Sequence, residues 1–209
     1  EHWVHFHNYF TSYCIVAQSL LTGLRPTHQG FITVQQILYT SKVAVVRDKD
    51  SADEYHTRTI PLHPLAIEIA EAYQSHMQAM LGRLHRIGAL KKWQGIGCPE
   101  PFFFTNTDNV DSSYKLAVMP FKPRLLKATL RDFFTGPPNG NRKLLRSWLE
   151  SQSVSSYCID ALLGHGNLGE TVWHPHNTMS LEDVRQTLTP HLNTLVQLLN
   201  LKALSGLTS

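Results

Sequence analysis

The chain has 209 residues, 42% of them apolar, which is enough for a real core in one large domain or two small ones and excludes a disordered tail protein. Nineteen basic and 16 acidic residues give a formal net charge of +3, mild enough to permit nucleic-acid binding through a local patch without arguing for it. No apolar run reaches the roughly 18 residues of a membrane span, and the N-terminus lacks the basic-then-apolar profile of a signal peptide, so we expect a soluble, cytoplasmic chain. Cys14, Cys98 and Cys158 lie far apart in no paired spacing and read as isolated buried thiols.

Apolar residues recur at three- and four-residue steps from Phe6 through Tyr9, Phe10, Tyr13, Val16, Ala17 and Leu20 to Leu21, which predicts a helix over 6–21 closed by Gly23. The character then changes to β-branched and aromatic runs over 32–39, 42–46 and 57–62. These read as a small antiparallel sheet, with the charged segment 47–54 joining its last two strands. Leu65, Ile69, Tyr73, Met77, Met80, Leu81 and Leu84 mark a long amphipathic helix after Pro64, which suits a first-turn position. A loop follows, then a short buried strand over 102–105 and a helix over 124–134. The Gly-Pro-Pro-Asn-Gly breaker at 136–140 precedes a helix over 142–150 capped by Asn141, and a second helix over 154–163 ends at Gly164. Ser180 with Asp183 resembles a capping box, and Pro190 implies a break with Thr189 as the next cap. Leu192, Leu195, Val196, Leu199 and Leu201 form a last apolar face, either core or a docking surface for another subunit. With no internal repeat or linker, the fold class is α+β, mostly helical with a small three-stranded antiparallel sheet, and residues 1–209 form a single domain.

Three segments carry the chemistry: Thr22-Gly23-Leu24-Arg25 at a helix end, Lys49 on a hairpin before Arg58-Thr59-Ile60-Pro61-Leu62, and Lys143-Leu144-Leu145-Arg146 followed nineteen residues later by Leu163-Gly164-His165. In this order and spacing they resemble, over nearly the whole chain, the catalytic domain of tyrosine recombinases, the phage-integrase family. The resemblance implies that Arg25 and Arg146 are the paired catalytic arginines, Lys49 the hairpin lysine, Lys143 the first residue of the His/Lys-x-x-Arg box and His165 the histidine of the Leu-Gly-His box. It implies double-stranded DNA as partner, no cofactor and no metal, and cutting and rejoining of strands through a covalent 3′-phosphoprotein link in DNA integration and recombination. Attack on a phosphodiester builds charge on non-bridging oxygens, which two planar, permanently charged guanidiniums can neutralise. A lysine near the leaving 5′ oxygen can act as general acid, and a histidine can donate to the phosphate. Lys122, Arg124, Lys127, Arg131 and Arg142 are further cations placed to contact the DNA backbone.

Two positions depart from the family pattern. The nucleophilic tyrosine belongs about nine residues beyond the Leu-Gly-His histidine, but that position is His174 and no tyrosine follows Tyr157. His28 stands where the family has an acidic residue. Four accounts stand side by side: a degenerate, non-catalytic DNA-binding or architectural protein using the same phosphate cage; attack by His174; a tyrosine supplied by another subunit or by Tyr157, Tyr114 or Tyr9; and a remodelled or altered tail in which Ser180 or Thr178 acts. His5-x-His7 and His174-x-His176 are His pairs without an acidic or cysteine partner, so no metal site is expected. The family's N-terminal DNA-clasping domain is not among these residues. Homo-oligomers on DNA through the C-terminal helix, and nucleoid association in a bacterial host, complete the expectations.

Overall fold

The computed structural model describes residues 2–24, 34–47, 57–87, 103–110, 113–120, 124, 140–164 and 179–208. Its first helix, α1 (His2–Thr22), starts earlier than periodicity predicts and is buried on more than one face: Val4, Phe10, Cys14, Ile15, Ala17 and Leu21 are core, and so are His7, Thr11, Gln18 and Ser19. A helix buried on several sides is central. Gly23 closes it in the left-handed conformation (φ 64), its N–H donating to Ser19 O at 2.9 Å.

The antiparallel sheet is present, in the order β1 (Ile37–Leu38), β2 (Val43–Arg47), β3 (Thr57–Pro61), with Ala44 opposite both Ile37 and Ile60. Its first strand is shorter than predicted, because Val34–Gln36 form a 3-10 turn. Leu24, Ile37, Ala44, Val46, Ile60 and Leu62 make the small core under this sheet. The turn after β3 leads into α2 (Pro64–Arg86), where Pro64 takes the first turn as expected and His63 is the cap. The Nδ1 of His63 accepts from Leu65 N–H at 3.1 Å, and its Nε2 meets Asn193 Oδ1 at 2.8 Å.

The strand expected over 102–105 is one arm of a longer hairpin, β4 (Phe103–Val110) against β5 (Ser113–Pro120), with Thr105 opposite Val118. Asn8 of α1 holds the hairpin: its Nδ2 donates to Thr105 O at 2.8 Å and its Oδ1 accepts from Thr105 N–H at 2.9 Å. Of the helix expected over 124–134, only Arg124 is among the described residues, and it is helical and exposed.

Three further helices follow: α3 (Gly140–Ser151), α4 (Ser156–Leu163) and α5 (Leu181–Leu198). Asn141 is not the cap of α3. The helix already begins at Gly140, and the Asn141 side chain reaches across to α1, where Nδ2 donates to Ser19 Oγ at 2.6 Å. α4 is capped by Ser155 and ends at Gly164 in the left-handed conformation (φ 65). The capping box of α5 forms as expected, Ser180 Oγ accepting from Asp183 N–H while Asp183 Oδ2 accepts from Ser180 N–H. Ser180→Ala should therefore lower stability by about 1 kcal/mol, measured as a shift in urea midpoint without a change in slope.

Pro190 does not break α5. The carbonyl it leaves without an N–H donor belongs to Gln186, and both residues lie on the exposed face, where water can take that role. Leu192 and Leu195 are core with Val184, Leu188, Leu145, Leu149 and Leu163, whereas Leu198 and Leu199 stay exposed. Cys14 and Cys158 are buried free thiols, as expected, and burial pushes the Cys14 thiol far above its ordinary value; Cys98 lies outside the described residues. Among the described residues no helix is long and apolar enough to cross a membrane.

Candidate functional site

The site is built where α1 ends, α4 ends and α3 begins. The turn at Gly23 packs so closely on α4 that a Cβ added there would lie 2.3 Å from Leu163 Cδ2 and 3.5 Å from Leu145 Cδ2. Only glycine fits, since the position also has the left-handed backbone that L side chains rarely adopt. Leu145 and Leu163 are themselves fully buried. Residues 22–24, the Lys-x-x-Arg helix and residues 163–164 therefore meet at one point, although more than a hundred residues separate the first from the other two.

One side chain spans that junction. Arg142, counted by sequence with the cations facing the DNA backbone, is instead 7% exposed. Its Nη1–H donates to Gly23 O at 2.8 Å and its Nη2–H donates to Leu163 O. The physical reason is local. Both carbonyls belong to helix C-termini, which lack intrahelical donors and carry partial negative charge, so they offset part of the cost of taking the guanidinium out of water.

Lys143, the next residue, points the other way and is exposed on the helix surface. One turn beyond Arg142 lies Arg146, half-buried. Its Nε–H donates to Glu150 Oε1 at 2.8 Å along α3, and its Nη1–H donates to Asp160 Oδ1 on α4 at 3.2 Å. Hydrogen bonding by Glu150 in the first place, with the Asp160 charge assisting, raises the guanidinium pKa further above its ordinary value. Two carboxylates on different helices thus fix the orientation of this fork. Neither carboxylate was named from the sequence, although the i, i+4 spacing on one helix is a signal that could have found Glu150. Asp160 carries no such signal, because only the packing of α4 on α3 brings it near.

Tyr157, one of the tyrosines considered as nucleophile, lies on α4 three residues before Asp160, and Tyr9 is on the exposed side of α1. Ser180 is engaged as the cap of α5. Arg25, His28, Lys49, Lys122, Lys127, Arg131, His165, His174 and Thr178 lie outside the described residues. His5 and His7 point apart on α1, one exposed and the other buried. Among the described residues no group of three or more histidine, cysteine or acidic side chains could hold a metal ion.

A second polar cluster lies away from this junction. His7 and His76 are fully buried and meet Nδ1 to Nε2 at 2.9 Å, while the Nδ1 of His76 accepts from Leu207 N–H at 3.0 Å. Phe6, Phe10 and Tyr73 surround the His76 ring. Burial in this apolar setting, with Arg83 adding repulsion, lowers the His76 pKa to about 4. A neutral His76 that accepts at Nδ1 carries its proton on Nε2 and donates to His7.

Compared with models of protein families, with curated proteins and with solved structures, the chain matches none of them.

Proposed function

We propose that the chain is a tyrosine-recombinase-like domain that grips a DNA phosphodiester in a cage of cations and transfers strands by cutting and rejoining them. The observation that carries the reading is the junction itself: the turns that lead into Arg25 and His165 converge on the helix that bears Lys143 and Arg146. In this reading Arg25 and Arg146 neutralise the charge that builds on the phosphoryl oxygens, Lys49 protonates the leaving 5′ oxygen, and Lys143 and His165 complete the donor set. Glu150 and Asp160 already engage the Arg146 fork, so in this reading part of that pairing is exchanged for phosphate contact when DNA arrives. Lys122, Arg124, Lys127 and Arg131 add backbone contacts that position the duplex without reading its sequence.

A second reading, a binding module that holds DNA without cutting it, is favoured by the lack of any tyrosine after Tyr157. A duplex nicked beside the cleavage site separates the two. A covalent protein–DNA adduct, located by peptide mass spectrometry, supports strand transfer and names the nucleophile; retarded DNA without an adduct supports the binding module. In both readings Arg146→Ala should weaken duplex binding and reduce the slope of log affinity against log salt by about 0.9, the share of one phosphate contact. Unchanged affinity and slope would overturn the assignment of the cage.

A further inference from the structure

We propose that residues 201–207 are a proton-operated latch: the segment is held across α1 and α2 by the neutral His7–His76 pair, and a proton taken up by His76 releases it.

The geometry leaves that proton one place to go. His76 Nε2 faces His7 Nδ1 at 2.9 Å, so one hydrogen must lie between the two nitrogens. The Nδ1 of His76 accepts from Leu207 N–H at 3.0 Å, which puts the hydrogen of the neutral ring on Nε2. A second proton on His76 therefore lands on Nδ1, opposite the Leu207 N–H, and two donors then face each other. The segment rests directly on the ring: a Cβ added at Gly206 would lie 2.4 Å from His76 Cβ and 2.9 Å from its Nδ1.

Of the two partners of His76, the segment is the one that yields. α1 and α2 share a core through Phe10, Cys14, Ile69 and Met80, to which β5 and α5 bring Leu116, Met119 and Val196. Segment 201–207 has no regular secondary structure, and its residues 202–205 are exposed. Its other ties are the two hydrogen bonds of Lys202 with the Tyr13 hydroxyl and the half-buried Leu201 and Leu207. The titratable groups about the ring are His7 from α1, Tyr73 and the repelling Arg83 from α2, and the exposed Lys202 on the segment itself. Burial holds the latched ring at about 4, and the released ring returns towards the ordinary 6.5. Release therefore binds a proton in that window and is favoured as the pH falls.

Hydrogen exchange of the folded full chain, followed by NMR in urea below the unfolding transition, reads the opening. Protection of the Leu207 and Lys202 amides should fall about tenfold per pH unit between pH 6 and 4.5 and stay independent of urea, as one linked proton and a local opening require. The Ile15 amide in the core should stay more protected and lose protection with urea. Gly206→Ala, whose Cβ lifts the segment, should open both amides at pH 7 and restore an ordinary titration to the His76 imidazole. Amides of the segment that keep their protection down to pH 4.5, or lose it only in step with Ile15, overturn the latch. So does a folded Gly206→Ala in which the segment is free and His76 still resists protonation. If Gly206→Ala does not fold, the imidazole shifts of the parent decide: His76 titrating together with the loss of Leu207 protection supports the latch, and His76 titrating while Leu207 stays protected overturns it.

Discussion

Lowering the pH from 6.5 towards 4 should remove on the order of 3 kcal/mol of folding stability through His76 alone, read from urea midpoints at a series of pH values. The folded value of about 4 lies below the 6.5 of a free histidine, so across that window the unfolded chain binds a proton that the native chain refuses. Stability is therefore complete above pH 6.5 and falls as the pH drops towards 4. The geometry gives the reason. A proton on Nδ1 would face the Leu207 N–H, which already donates to that atom, inside a cage of Phe6, Phe10 and Tyr73. His76→Phe keeps the aromatic packing, is less stable at pH 7 because Leu207 N–H loses its acceptor, and should flatten most of the slope. The Arg185 hydrogen bond to Glu182, and the Ser180 N–H donated to Asp183, hold those carboxyls below their ordinary values, so their losses come at lower pH. A parent slope that is flat between pH 6.5 and 4.5, or that survives His76→Phe, would contradict this account.

Gly23→Ala should destabilise the fold by about 2 to 5 kcal/mol. A left-handed backbone costs a residue with a Cβ about 1 to 2 kcal/mol, and overpacking a filled core adds about 1 to 3 kcal/mol. The added Cβ would lie 2.3 Å from Leu163 Cδ2, and Leu163 is fully buried and cannot step aside. A double-mutant cycle divides the cost. Leu163→Ala by itself opens a cavity at about 2 to 5 kcal/mol, but in its presence Gly23→Ala should keep only the backbone part. Additive losses would show that the two residues do not press on one another. If the chain binds DNA as proposed, the single variant should also lose DNA affinity beyond its loss of folded protein, because the same turn leads to Arg25 in the sequence.

Much of the fold was legible where a pattern is local. The steps of the apolar residues in α1 and α2, Pro64 at a first turn, Ser180 with Asp183 and Gly164 after α4 each depend on neighbours within a turn or two of chain. What was not legible depends on partners far off. Asn141 has the composition of a cap, yet Ser19 on another helix takes its side chain. Arg142 has the composition of a surface cation, yet two helix ends draw it inside. Pro190 reads as a breaker, and only its place on the wet face of α5 lets the helix continue. The long β4–β5 hairpin was missed because 113–120 mixes polar and apolar residues without clean alternation, while Asn8 supplies a strand-like partner from a helix. Of the candidate site, nothing in the motifs pointed to the contact of Gly23 with Leu145 and Leu163, which depends on packing between helices far apart in the chain.

Tyr13 of α1 donates its hydroxyl proton to Lys202 O at 2.6 Å and accepts from Lys202 N–H at 2.9 Å, so the first described helix is fastened to the last described segment. Leu201 and Leu207 add apolar contact on the same core. Such contacts close loops of nearly the whole chain length, which can form only when both ends are present. On the ribosome α1 emerges before every other described element; α2 supplies most of its core partners and can cover it early, but the contacts with Lys202, Leu201 and Leu207 wait until the residues near 200 have been made. Apolar surface left open over that interval is of the kind through which incompletely folded chains aggregate.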